Sequence, residues 1–97
     1  MPAEAASRSE GKRYVLRLFV AGNAPNSRMA KANLERFCER LAGADVEIQV
    51  IDVLVDPQAA VEQGVFLTPA LQILEPRPGR LVYGNLSDDD VLGSVLA

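Results

Sequence analysis

Few residues in this chain could carry covalent or acid–base chemistry: there is one cysteine, Cys38, and no histidine. A disulfide framework or an internal dithiol redox pair needs two cysteines, and a zinc site would have to rely on carboxylates almost alone. Mechanisms that use an imidazole base are equally unavailable. Cys38 falls on a helical apolar face, where it reads first as a plain core residue and second as a single reactive thiol. Asp88-Asp89-Asp90 is the densest run of carboxylates. Three consecutive carboxylates on a helix point in different directions and make a poor cage, so the run reads as a charged first turn. Thr68-Pro69, just ahead of the apolar run Ala70-Leu71-Gln72-Ile73-Leu74, has two readings: a proline at a strand entrance or a cis peptide. No catalytic, cofactor-binding or metal-binding residue is assigned on this basis.

Hydrophobic spacing gives the elements that would position these groups. Met1 to Arg13 has no hydrophobic period and is expected to be a flexible tail, residues 1–13, ahead of one domain over residues 14–97. Tyr14 to Val20 is a mostly apolar run rich in β-formers, suited to a central strand. It ends at Ala21-Gly22. Asn23-Ala24-Pro25-Asn26-Ser27 is a turn whose last residues, Asn26 or Ser27, can cap a helix. From there Ala30, Leu34, Phe37, Cys38 and Leu41 share one helical face, and Gly43 stops the helix. Val46, Ile48 and Val50 alternate before Ile51, Val53 and Leu54, which predicts a second strand entering the core. Asp56-Pro57 starts a short helix, with Asp56 as cap and proline at the first helical position, that ends by Gly64. Pro76 to Gly79 turns the chain from the third strand into Arg80-Leu81-Val82-Tyr83, the return strand of a hairpin. Ser87 is the expected cap of a closing helix that carries Val91, Leu92, Val95 and Leu96 on one face.

With 97 residues, 48% hydrophobic and 24% charged, the chain suits a single soluble globular domain. No apolar run approaches the roughly 18–20 residues of a membrane helix, and the start has no signal-peptide core, so a cytoplasmic protein is expected. The net charge of −3 gives no general pull toward nucleic acid. Its distribution is uneven: residues 1–40 carry eight Lys or Arg against four Asp or Glu, and residues 41–97 carry two against nine. Such polarity either orients a partner or sister subunit or is an accident of a solvated surface.

The order β-α-β-α-β-β-α is that of an α/β thioredoxin-like fold: a right-handed parallel crossover, a connecting helix, a hairpin and a final helix. Enzymes of that fold carry redox cysteines in the turn after the first strand, where the helix dipole stabilises a thiolate. Here that turn, Ala21 to Ser27, has no nucleophile, and Cys38 lies about three helical turns beyond it. The cis reading of Thr68-Pro69 would, in such a fold, face the empty turn, and it stands even with the strand-entrance reading.

Particular residues carry a closer likeness. Tyr14-Val15-Leu16, Phe19-Val20-Ala21-Gly22-Asn23 and Pro25-Asn26-Ser27 resemble the opening of KaiB proteins of the bacterial circadian clock. Val50 to Leu54, Asp56-Pro57-Gln58, Thr68-Pro69 with Leu71, and Gly84-Asn85-Leu86-Ser87-Asp88 follow in KaiB order and spacing. The resemblance runs from Tyr14 to about Leu96. It implies a non-enzymatic clock or timing regulator without cofactor that binds the ring-shaped ATPase KaiC and modulates its phosphorylation cycle. It further implies capture of KaiA and displacement of the sensor kinase SasA, while charge and hydropathy already give no expectation of a nucleic-acid or membrane partner. Partner-binding residues carried over by position are Asp56, Pro57, Gln58, Ala59, Glu62 and Gln63. Gly22, Asn23, Pro25, Thr68, Pro69, Gly84 and Asp88 are carried over as structural or fold-switch positions. The family is metamorphic, so an alternative KaiB ground-state fold forming dimers or tetramers is implied, with the C-terminal half rewired. The chain departs from the family at Asn85, where Asp is usual, at Glu75-Pro76-Arg77-Pro78 in place of a proline run, and in a short final helix. The alternative reading is a diverged thioredoxin-like adaptor or SasA-type interaction module in signalling or stress response.

Overall fold

The structure, a computed structural model, describes residues 12–41 and 43–96. The elements run β1 (Arg13–Val20), α1 (Pro25–Cys38), β2 (Asp45–Asp52), α2 (Pro57–Glu62), β3 (Ala70–Glu75), β4 (Arg80–Tyr83) and α3 (Asp89–Leu96), the order read from the sequence. They form one four-stranded sheet ordered β2-β1-β3-β4. The β1–β2 pair is parallel, and β3 runs antiparallel to both β1 and β4.

Alternation along β1 divides the sheet into two faces. Tyr14, Leu16, Leu18 and Val20 join Leu71 and Ile73 of β3 under Ala30, Leu34 and Phe37 of α1 and Leu92 of α3. Fully burying side chains of this size contributes about 1.5–3 kcal/mol each, so this layer is the main source of stability. On the opposite face Phe19 meets Ala60 of α2, Val65 and Ala70. A helix of six residues covers only one end of that face.

Four expectations need correction. First, β1 begins at Arg13, inside the expected tail; the Lys12 carbonyl accepts from Asp45 N–H at 2.9 Å. Arg13 is ordered by charge, which a hydrophobic pattern does not register. Its guanidinium bonds Asp45 and, at 2.8 Å, Glu47, with Glu75 at 3.6 Å; the hydrogen bond to Asp45 leads in raising its pKa. Residues 1–11 lie outside the described residues. Second, α1 starts at Pro25 behind Ala24 and has no side-chain cap, because proline at the first position already fixes φ and gives up one orphan donor. The helix ends at Cys38, short of Gly43; tighter bonds from Arg40 N–H to Phe37 O and from Leu41 N–H to Cys38 O finish it and keep Leu41 buried.

Third, β2 reaches the core only from the edge of the sheet: Val46 and Ile48 pack against it half-buried, whereas Val50 and, beyond the strand, Leu54 are 45% and 72% exposed. Fourth, α3 is capped one residue later than expected. Asp88 Oδ1 accepts from Val91 N–H at 3.3 Å, while Ser87 N–H donates to Asn85 Oδ1 at 3.1 Å. Leu92 is fully buried and Val91 is partly exposed; the side chains of Asp89, Asp90, Val95 and Leu96 lie outside those described.

Candidate partner-binding surface

The ends of β1 and β2 are tied together by one carboxylate. Asp52 Oδ1 accepts from Gly22 N–H at 2.9 Å and from Leu54 N–H at 3.0 Å. The Asp52 carbonyl accepts from Val55 and Asp56 N–H, and Val53 N–H reaches Val20 O at 2.8 Å. Gly22 has φ +54, and a Cβ there would sit 3.1 Å from Leu54 Cδ1, so both its backbone and its neighbour call for glycine. Within the turn, buried Ser27 accepts from Ala21 N–H through Oγ at 3.0 Å. The result is a compact pair of loops ahead of α2.

Asp56 caps α2 as expected, its Oδ1 accepting from Ala59 N–H at 3.2 Å with Pro57 at the first position. Of the residues carried over as partner-binding, Asp56, Pro57, Gln58, Glu62 and Gln63 are exposed along this short segment. Ala59 turns inward against the Phe19 cluster and is set apart from the others. Gln63 Oε1 is held at 2.9 Å by Gln72 Nε2. Asn23 and Pro25 are exposed in and after the β1–α1 turn, whereas Thr68-Pro69 is a cis peptide whose Pro69 carbonyl accepts from Gly84 N–H at 3.0 Å. Thr68, Pro69 and Gly84 are thereby brought together, and Asp88 serves as the α3 cap.

Five large apolar side chains flank these residues in the stretch 54–67. Leu54, Val55, Val61, Phe66 and Leu67 are 64–81% exposed. Chains rarely leave that much apolar surface open in one segment without a use for it. Of these five the sequence reading placed only Leu54, in a strand entering the core, because an apolar run such as Val53-Leu54-Val55 or Val65-Phe66-Leu67 does not show by its composition whether it is covered. A signal was present: Asp56-Pro57 ends the first run and Thr68-Pro69 ends the second, leaving both in loops. The Asp52 tie was also unassigned, since an aspartate closing a strand has no distinctive spacing.

Cys38 is half-buried at the last residue of α1, far along the helix from the β1–α1 turn. Burial first, and the Glu35 charge second, raise its thiol pKa, which lowers the thiolate fraction at neutral pH. Among the described residues no helix is long and apolar enough to cross a membrane.

Residues 17–97 match the model of the KaiB domain. The circadian clock oscillator protein KaiB of Trichodesmium erythraeum (strain IMS101) is 44% identical over 77 residues, covering 79% of this chain and 74% of that protein. The chain belongs to the KaiB family. The circadian clock oscillator protein KaiB of Parasynechococcus marenigrum (strain WH8102) is 42% identical to this KaiB-family chain over 80 residues, covering 82% of it and 77% of the relative. In fold the KaiB-family chain is similar to the N-terminal domain of Synechococcus elongatus SasA, with a TM-score of 0.72, 22% identity, and coverage of 91% of this chain and 84% of that one. Mitochondrial thioredoxin 3 of Saccharomyces cerevisiae matches with a TM-score of 0.70 at 17% identity, covering 97% and 86%. The fold of this KaiB-family chain is therefore thioredoxin-like, without cysteine in the turn that follows β1.

Proposed function

We propose that the chain is a non-enzymatic circadian-clock or timing regulator of the cytoplasm that binds a KaiC-like ATPase and modulates its phosphorylation cycle. The observation that carries this reading is the exposed apolar stretch 54–67 around α2, in a chain of the KaiB family. A partner surface would cover Leu54, Val55, Val61, Phe66 and Leu67, and the polar side chains of Gln58, Glu62 and Gln63 would fix its register. The raised pKa of Cys38 and its distance along α1 from the turn support binding rather than thiol chemistry. Homo-oligomers in the unbound state, a rewired ground-state fold and a third, KaiA-like partner belong to the same reading. The fold shared with the SasA domain favours one second reading, a sensor-type adaptor that uses the same surface in another signalling pathway.

The test is size-exclusion chromatography with light scattering of the chain mixed with its cognate KaiC-like ATPase, in ATP and in ADP, with phosphomimetic variants and over hours. A nucleotide- or phosphorylation-dependent complex supports the clock reading. A folded chain that forms no complex in any state refutes it and leaves the adaptor.

A further inference from the structure

Because α2 is short, part of the sheet's second face stays open beneath it. There lies a groove of about 560 Å³ with Val15, Leu74 and Leu81 in its lining, Gln63 at the α2 end, and Arg77 and Arg80 at the hairpin turn. Two local features shape it. The β1–β3 register shifts between Val15 and Leu16, pairing Val15 with Glu75 and Leu16 with Ile73, so Leu74 is an extra residue that bulges at the groove. At the turn, a Cβ on Gly79 would stand 3.1 Å from the Ile73 carbonyl oxygen, so glycine lets the turn lie close against β3.

Charge at the groove is one-sided. Arg77 and Arg80 are the only basic residues after position 41, in a region with nine acidic ones, and both line the groove. Neither has a carboxylate partner among the described residues. Arg17 on the adjoining β1 also lacks one: its guanidinium donates to Gln49 Oε1 and Gln72 Oε1, each at 3.2 Å, and Gln72 reaches on to Gln63. Glu75, the one carboxylate in the lining, is 3.6 Å from Arg13, which also takes up Asp45 and Glu47. Two guanidinium groups, Arg77 and Arg80, thus line the groove without a carboxylate partner among the described residues, and Arg17 stands on the neighbouring strand behind Gln72.

We propose that this groove docks an acidic segment of a partner protein, with carboxylates on Arg77 and Arg80 and an apolar side chain over Val15, Leu74 and Leu81. Guanidinium forks suit carboxylates geometrically, and the apolar lining adds affinity that charge at a wet surface does not supply alone. The groove adjoins the surface of the ATPase reading at Gln63, but none of the exposed apolar side chains of the stretch 54–67 lines it.

The experiment is a ¹⁵N NMR titration of the whole chain with the peptide acetyl-Glu-Leu-Asp-Glu-Leu-Glu-amide, its Gln/Asn counterpart, and a short oligothymidylate. The expected result is saturable shifts at Gln63, Gln72, Glu75, Arg77, Arg80 and Leu81 with the acidic peptide alone, weakening as salt rises. The double variant Arg77→Gln/Arg80→Gln should bind about tenfold more weakly with an unchanged melting curve, and Arg77→Lys/Arg80→Lys should retain part of the affinity. Absence of shifts at the groove, equal binding of the neutral peptide, undiminished binding by the glutamine variant, or tighter binding of the oligonucleotide would each overturn the proposal.

Discussion

Replacing Asp52 with alanine removes the acceptor that joins the β1–α1 turn to the loop ahead of α2. Two backbone donors lose their partner, Gly22 N–H at 2.9 Å and Leu54 N–H at 3.0 Å. A hydrogen bond of this kind contributes about 0.5–1.5 kcal/mol net. The site is only part-buried, so water can reach the freed donors and the full penalty of burial does not apply. The expected loss is therefore about 2 kcal/mol, or roughly 8–16 °C in Tm for a domain of this size. Asparagine keeps a carbonyl oxygen at the same place, so Asp52→Asn should lose only about 0.5–1 kcal/mol. Urea unfolding of the parent, Asp52→Asn and Asp52→Ala, with equal m-values as the check on two-state behaviour, measures both steps. If alanine costs less than about 0.5 kcal/mol, or asparagine as much as alanine, the carboxylate is not the tie we describe. Gly22→Ala gives an independent arm: it strains φ +54 and crowds Leu54 Cδ1. Its cost should fail to add to that of Asp52→Ala, because both loosen the same pair of loops.

Asp56→Ala should destabilise by about 0.5–2 kcal/mol in thermal unfolding through loss of the α2 cap. Leu34→Ala, at a fully buried position of α1, should cost about 2–5 kcal/mol in urea unfolding, well beyond any surface change. Phe66→Ser with Leu67→Ser should leave Tm within a degree or two and abolish capture of the KaiC-like ATPase in the light-scattering assay, since both side chains are exposed. The raised pKa of Cys38 means the native thiol keeps its proton to higher pH than an ordinary cysteine. Iodoacetamide at pH 8 should accordingly label the native chain more slowly than the urea-unfolded chain, and equal rates would refute the burial argument.

The order of elements was legible because each was signalled by something local: the β-rich run from Tyr14, the helical spacing of Ala30, Leu34 and Phe37, and the Asp56-Pro57 start. What was misread depended on partners distant in sequence. Nothing in Val46, Ile48 and Val50 says whether one or two strands flank them, so an edge strand passed for a buried one. Caps slipped by a residue or more where two polar candidates stood together, as at Ser87 and Asp88. At the candidate surface, motif positions pointed to α2, but of the apolar side chains that make it a surface Leu54 looked like core and the others were not singled out, because exposure is a property of packing rather than residue type. Asp52 and Ser27 could not have been assigned in advance, since their bonds close loops whose shape the sequence does not print.

Because β1 is made first and yet lies between β2 and β3, a growing chain can satisfy only one of its edges early. Arg17 meets Gln49 across 32 residues and Gln72 across 55. At roughly 5–20 residues per second, the 23 residues from Gln49 to Gln72 take about 1–5 seconds to emerge. During that interval the β1–α1–β2 unit presents an unpaired, largely apolar strand edge, the kind of surface through which nascent chains join one another. The strand that binds the finished sheet together is thus the one most open to mispairing while the protein is being synthesised.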